Sequence, residues 1–170
     1  MKHSAMVLMA SILIIAGCVY KVPLADEQNL PLDPSVLGLW EAVPNEGEAL
    51  DPGNRMLILK YTDTEYLVHC PTGPEGMYFR GYPVKIGDVS CVQLQEVGTA
   101  DGQIKDEDRK YHVVSYSLSN GELEIRTLNT DLVDDNLQES AELKRAFLNN
   151  EKNKDLFKVL RKFRKAANKK

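Results

Sequence analysis

The sequence predicts a mainly β fold: a small antiparallel β-barrel or partly open barrel, followed by one or two C-terminal α-helices. Three observations carry that expectation. Short apolar runs succeed one another between Gly38 and Leu128, separated by turn-forming Gly, Pro, Asn and Asp. Asn120-Gly121 stands between two alternating strands, and both positions tolerate the positive φ of a two-residue hairpin turn. Beyond Glu139 the apolar residues change to helical spacing.

The chain opens with Lys2 and His3 ahead of an apolar run, Ala5 to Ala16, broken only by Ser11. At about 12 residues this run is well short of the roughly 20 that span a bilayer. A positive start, a short apolar core and small residues at its end are the parts of a secretory signal peptide. The run ends in Ile15-Ala16-Gly17-Cys18, which resembles the lipobox of bacterial lipoproteins, with Ile in place of the more usual Leu. The resemblance implies that residues 1–17 are a signal removed before Cys18 and that the Cys18 thiol carries a diacylglycerol. Two or more acyl chains hold a protein stably to a membrane without any transmembrane helix. The residue after the cysteine is Val19. In Gram-negative lipoproteins an Asp there signals inner-membrane retention, so the resemblance implies the outer membrane, facing the periplasm. A plain signal peptide before a structural cysteine is the competing reading.

Residues 18–36 carry Pro23, Pro31 and Pro34 among polar residues and isolated Leu. They read as an extended tether, able to reach on the order of 50 Å. Residues 37–130 form the β domain, and together with the C-terminal segment they have the length of one ordinary domain. Its first runs are "RMLILKY" (Arg55–Tyr61) and "EYLVHC" (Glu65–Cys70), joined through Thr62-Asp63-Thr64 as a hairpin. "MYFRGYPVKI" (Met77–Ile86) comes next, and its Pro83 argues for an edge position or a bulge. Gly87-Asp88 turns the chain into Val89–Gln95. In the last hairpin, folding about Asn120-Gly121 pairs Leu118 with Leu123, Tyr116 with Ile125 and Val114 with Thr127. The apolar residues then share one face, and Glu122, Glu124 and Arg126 take the other.

Residues 131–170 read as a helical segment with a basic end. Ser140 is a candidate N-cap for a helix that places Leu143 and Phe147 on one face. A second helix after Asn150 is expected to carry Leu156, Leu160 and Phe163 as its stripe. Charge divides along the chain: residues 18–150 hold 11 basic and 23 acidic side chains, and residues 151–170 hold 9 basic and 2 acidic. The basic end therefore has a choice of docking on the acidic domain, an anionic membrane surface or another protein, and a solvated helix end is the plainer reading. Cys70 and Cys91 are a candidate disulfide in an oxidising compartment, with two free buried thiols as the alternative.

"LGLWEAV" near the start of the β region contains Gly38 and Trp40 as G-x-W. It resembles the first-strand motif of lipocalins, in which the Trp closes the narrow end of a small antiparallel barrel. With Cys18, short strands and a terminal helix, the layout from Cys18 to about Leu148 is similar to lipocalin-like bacterial lipoproteins. Only six or seven strands fit between Trp40 and Leu128, which favours a smaller or partly open barrel over the eight strands of that family.

No catalytic constellation emerges. There is no G-x-S-x-G elbow, and His69 and Cys70 are adjacent strand residues that point to opposite faces. His69, Cys70, Cys91 and His112 are zinc-ligand types without zinc spacing. The acidic groups Asp106–Arg109 and Asp131–Asp135 lack the pattern of a calcium loop. No metal or cofactor is expected, and nucleic acid is not an expected partner of an exported protein. Two binding readings remain. In the first, Tyr78, Arg80 and Tyr82 on one strand face, with His112, take a small amphiphilic or apolar ligand in the barrel; the plainer account is tyrosines that pack and an arginine that snorkels. In the second, the barrel is solid and the protein is an envelope interaction module that recruits a protein partner.

Overall fold

The computed structural model describes residues 19–49 and 53–167. Eight strands close into an antiparallel barrel: β1 (Gly38–Ala42), β2 (Arg55–Lys60), β3 (Tyr66–Cys70), β4 (Met77–Ile86), β5 (Val89–Thr99), β7 (Tyr111–Ser119), β8 (Glu122–Leu128) and β9 (Phe157–Lys165). The short β6 (Gly102–Gln103) adds only to the end of β5. Neighbours succeed one another in chain order, and the ring is completed where β9 pairs with both β8 and β1. One helix, α1 (Ser140–Asn149), lies between β8 and β9.

The hairpin about Asn120-Gly121 has the register read from the sequence, Leu118 opposite Leu123, Tyr116 opposite Ile125 and Val114 opposite Thr127. Asn120 and Gly121 both have positive φ, as that turn requires. Pro83 is tolerated because β3 stops at the Tyr66–Gly81 pair. Beyond it, β4 has only β5 as a neighbour, so the missing N–H of Pro83 faces an unpaired edge. In α1, Leu143 and Phe147 are fully buried, and Glu139 occupies the N-cap position with Ser140 as the first helical residue.

The expected second helix is a strand. Leu156, Leu160 and Phe163 satisfy helical spacing, but Arg161, Phe163 and Lys165 alternate as a strand does, and Phe157 and Val159 alternate on the opposite face across a β-bulge. Tertiary pairing decides between the two patterns, because β8 and β1 would otherwise each present an open edge. The basic residues thereby dock within the molecule. Arg164 donates to Glu122 at 2.9 Å, and Lys162 reaches Glu124 at 3.5 Å.

Two apolar layers result. One is the barrel interior, with Trp40, Met56, Val68, Phe79, Leu94, Val114, Leu123 and Phe163. The other lies outside the wall, where Val84, Ile86, Cys91, Val113 and Leu128 meet α1 and the N-terminal segment. That segment is not a free tether. Tyr20 is fully buried and exchanges two backbone hydrogen bonds with Tyr111, at 2.8 and 2.9 Å. Its hydroxyl donates to the Val133 carbonyl at 2.9 Å. The fully buried Gln93 amide accepts from the Leu24 and Ala25 N–H groups at 2.6 and 3.0 Å and clamps the segment to β5.

The candidate Cys70–Cys91 disulfide is corrected: both thiols are free and buried. Cys70 is opposite Met77 and Cys91 opposite Val84 on the intervening β4, seven residues apart. At about 3.3 Å per residue that is roughly 23 Å along the strand, where a disulfide needs Cα atoms within about 7 Å. Cys70 also faces the interior core and Cys91 the outer one. Burial pushes both thiols up to about 12. Iodoacetamide should therefore modify neither cysteine in folded residues 19–170, and both after urea denaturation without reductant. A denatured chain that takes up no label would restore the disulfide.

Candidate functional site

The ends of the barrel differ in chemistry. At the first, a 3-10 turn at Pro34–Val36 crosses the opening before β1 begins. The Trp40 indole N–H donates to the Val36 carbonyl at 2.8 Å, and Val36 is buried in the interior core. The Asp33 N–H donates to the Tyr66 hydroxyl at 2.8 Å, and the Tyr116 hydroxyl donates to Asp33 Oδ2 at 3.0 Å. Lys165 Nζ donates to the Leu37 carbonyl at 2.7 Å and stands 5.0 Å from the centre of the Trp40 ring. The two tyrosines rise from the interior to hold Asp33, so the plug at this end is tied down by polar bonds around an apolar stopper.

Next to the plug is a cavity of about 60 Å³ with entirely apolar walls, formed by Val36, Met56, Ile58, Val68, Leu94, Val114, Leu123 and Ile125 among others. Eight strands leave an interior just wide enough for side chains or one small ligand. Here most of that width is filled.

The other end is polar inside. Arg161 is opposite Ile125 and two residues from Phe163, both interior residues, so its side chain enters the barrel. It is only 6% exposed. Thr127 is opposite Val114 on the inner face of β8. His112, 2% exposed, meets Phe79 edge-on at 5.6 Å and shares a hydrogen bond with Glu96 through its Nε2 at 2.8 Å. Arg161, Thr127, His112 and Glu96 thus stand on four successive strands of the wall, β9, β8, β7 and β5. Glu48, from the β1–β2 connection, meets Arg161 with both carboxylate oxygens, at 3.0 and 3.1 Å. Arg161 holds the Glu48 carboxyl below its ordinary range. Arg161 Nε, Thr127 Oγ1, His112 Nδ1 and the Oδ1 of buried Asn54 lack a hydrogen-bond partner.

The four residues proposed from the sequence do not form one site. His112 faces the interior with Val114 and Tyr116, but Tyr78, Arg80 and Tyr82 lie on the outer face of β4. Tyr78 stacks on His69 with ring centres 4.1 Å apart. Arg80 is ion-paired with buried Glu65 and lies over the Tyr61 ring. Tyr82 is buried against Gln93 and Ala25 beneath the N-terminal segment. Strand alternation is the reason, since the inner positions of this stretch of β4 are Phe79 and Gly81. A Cβ at Gly81 would come within 2.7 Å of the Leu94 side chain and would have to displace it. Cys18 lies outside the described residues. Among the described residues, no three His, Cys, Asp or Glu side chains gather as metal ligands. A groove of about 590 Å³ also runs outside the barrel between residues 24–30, the end of β4 and α1, open to solvent and lined in part by Asp26, Glu27, Lys85 and Lys144.

Sequence reasoning misses Arg161, which helical spacing puts on a helix surface, and Glu48, which lies in a loop. The usable signal is short, the spacing of Arg161 two residues before Phe163, because a β-bulge turns Phe157 and Val159 to the outer face. Comparison with protein-family models, curated proteins and solved structures finds no match to this chain.

The Asp33 carboxyl is held below its ordinary value of 3.8, first by the Ser35 hydroxyl and also by the Ser35 N–H and the Tyr116 hydroxyl. A lowered folded-state pKa stabilises fully above the unfolded value and is lost as pH falls through the folded one. The stability gap between wild type and Asp33→Asn in urea unfolding should therefore shrink as pH falls from about 5 through the unfolded carboxyl value of about 3.9 and below. An unchanged gap over that range would remove Asp33 as the pH-dependent tie of the plug.

Proposed function

We propose that the protein is a lipid-anchored lipoprotein of the cell envelope whose barrel binds a small amphiphile. The observation that supports it most directly is the division of the interior into a wholly apolar chamber and an end furnished with buried charged and polar side chains. An amphiphile has the same division. Its chain would enlarge the chamber by displacing Val36 from the plug, since about 60 Å³ is less than the several hundred typical of ligand pockets.

Anchoring rests on the lipobox-like Ile15–Cys18. The docking of Tyr20 on β7 sets its geometry. Two residues extend at most roughly 7 Å, so acyl chains on Cys18 would hold the barrel against the membrane surface instead of clear of it. We place the protein at the outer membrane, facing the periplasm, on the strength of Val19 next to the cysteine.

The alternative, a solid-barrel envelope interaction module, is favoured by the smallness of the cavity. A basic helix with a free apolar stripe no longer speaks for it, because that segment is β9.

Native mass spectrometry of residues 19–170 exported to the periplasm should show an excess mass that denaturation releases. A bare mass, together with no binding of octanol or octanoate at millimolar concentration, would favour the solid barrel. For the anchor, cells fed an alkyne fatty acid should label the wild-type protein and not Cys18→Ala; equal labelling would refute lipidation at Cys18.

A further inference from the structure

We propose that Arg161 is an anion-binding residue inside the barrel, that its ligand is a carboxylate-headed amphiphile, and that Glu48 occupies its place in the unliganded protein. This rests on the reading of the barrel as an amphiphile binder and names the head group.

A guanidinium inside an apolar barrel is costly to desolvate and is tolerated only when paired. For stability alone, an aliphatic residue beside Phe163 and opposite Ile125 would serve at least as well. The charge of Arg161 is instead met by a carboxylate from outside the wall. Glu48 reaches in from the β1–β2 connection and engages both terminal nitrogens side by side, the geometry in which arginine recognises a free carboxylate. Its side chain remains about a third exposed, so it returns to water at little cost once another carboxylate takes its place.

Glu48 also leaves the site incomplete. Arg161 Nε keeps its hydrogen without an acceptor, and Thr127 Oγ1 on the adjoining strand has no partner. Each unmet buried polar group is a standing cost. A ligand carboxylate entering from the chamber side would meet Arg161 and bring its oxygens toward these groups, while its chain lay against Ile125 and Val114. The exchange swaps one carboxylate for another on the same guanidinium, leaving interior charge unchanged, and adds the burial of an apolar chain. Neutral amphiphiles would gain only the second part.

The test is calorimetric titration of residues 19–170, which include every described element, with octanoate and with octanol at pH 7.4. The two probes share a chain and differ in the head. Octanoate should bind at least about ten-fold more tightly than octanol. Arg161→Gln should abolish that preference. Glu48→Gln removes the competing charge without altering the wall, so it should raise octanoate affinity by about five-fold or more and leave octanol unchanged. Should Arg161→Gln fail to fold, Glu48→Gln alone decides. Equal binding of the two probes, or octanoate affinity unaltered by Glu48→Gln, overturns the carboxylate site and leaves the barrel reading standing. Binding of neither probe removes the barrel reading and this inference with it.

Discussion

Insertion of the last strand between the first and the eighth is the constraint on which the rest of the molecule depends. β9 pairs with β8 over most of its length and with β1 at its end, and without it the sheet would have two free edges and no enclosed interior. Strand pairing thereby absorbs the basic tail. Glu122 and Glu124 on β8 face outward, and the charges of Arg164 and Lys162 lie beside them. The imbalance between an acidic domain and a basic end is an intramolecular complementarity first.

The same insertion creates the unusual interior. Strand alternation means that outward placement of Lys162 and Arg164 comes with inward placement of Arg161 and Phe163, and a β-bulge beside Ile125 and Arg126 resets the alternation for Phe157–Val159. Phe163 completes the apolar core. Arg161 brings a charge into it and makes the polar end depend on a carboxylate from a loop. The barrel is consequently apolar against the plug and polar against the β1–β2 connection.

The N-terminal segment performs two structural tasks. Along the outside, Tyr20 and Leu24 cover the wall where Gln93 and Val113 would otherwise be exposed. At the end of its course, Asp33 and Val36 stop the barrel mouth. Any force or ligand that loosens this segment acts on the outer layer and on the plug together, because both are held by one continuous stretch of chain.

Local pattern was sufficient for much of the wall. The strands from Arg55 to Leu128, the Asn120-Gly121 turn with its register, and α1 with Leu143 and Phe147 inward all come from alternation, turn chemistry and helical spacing between near neighbours. The grouping of Tyr78, Arg80 and Tyr82 on one face was also legible. Which face that was depended on where β3 and β5 lay, and it proved to be the outer one. Closure was hidden for a related reason: Phe157–Lys165 fits both helical and strand periods, and only edges formed about 30 residues earlier and more than 100 earlier, in β8 and β1, select the strand. Tyr20 and Leu24 looked isolated because their partners Tyr111 and Gln93 are far along the chain. The sequence by itself determined the β character and the local hairpins, which rest on alternation and turn chemistry between near neighbours. The tertiary structure alone decided closure, the docked N-terminal segment, the free thiols and the meeting of Arg161 with Glu48, since each depends on distant contacts that periodicity does not encode.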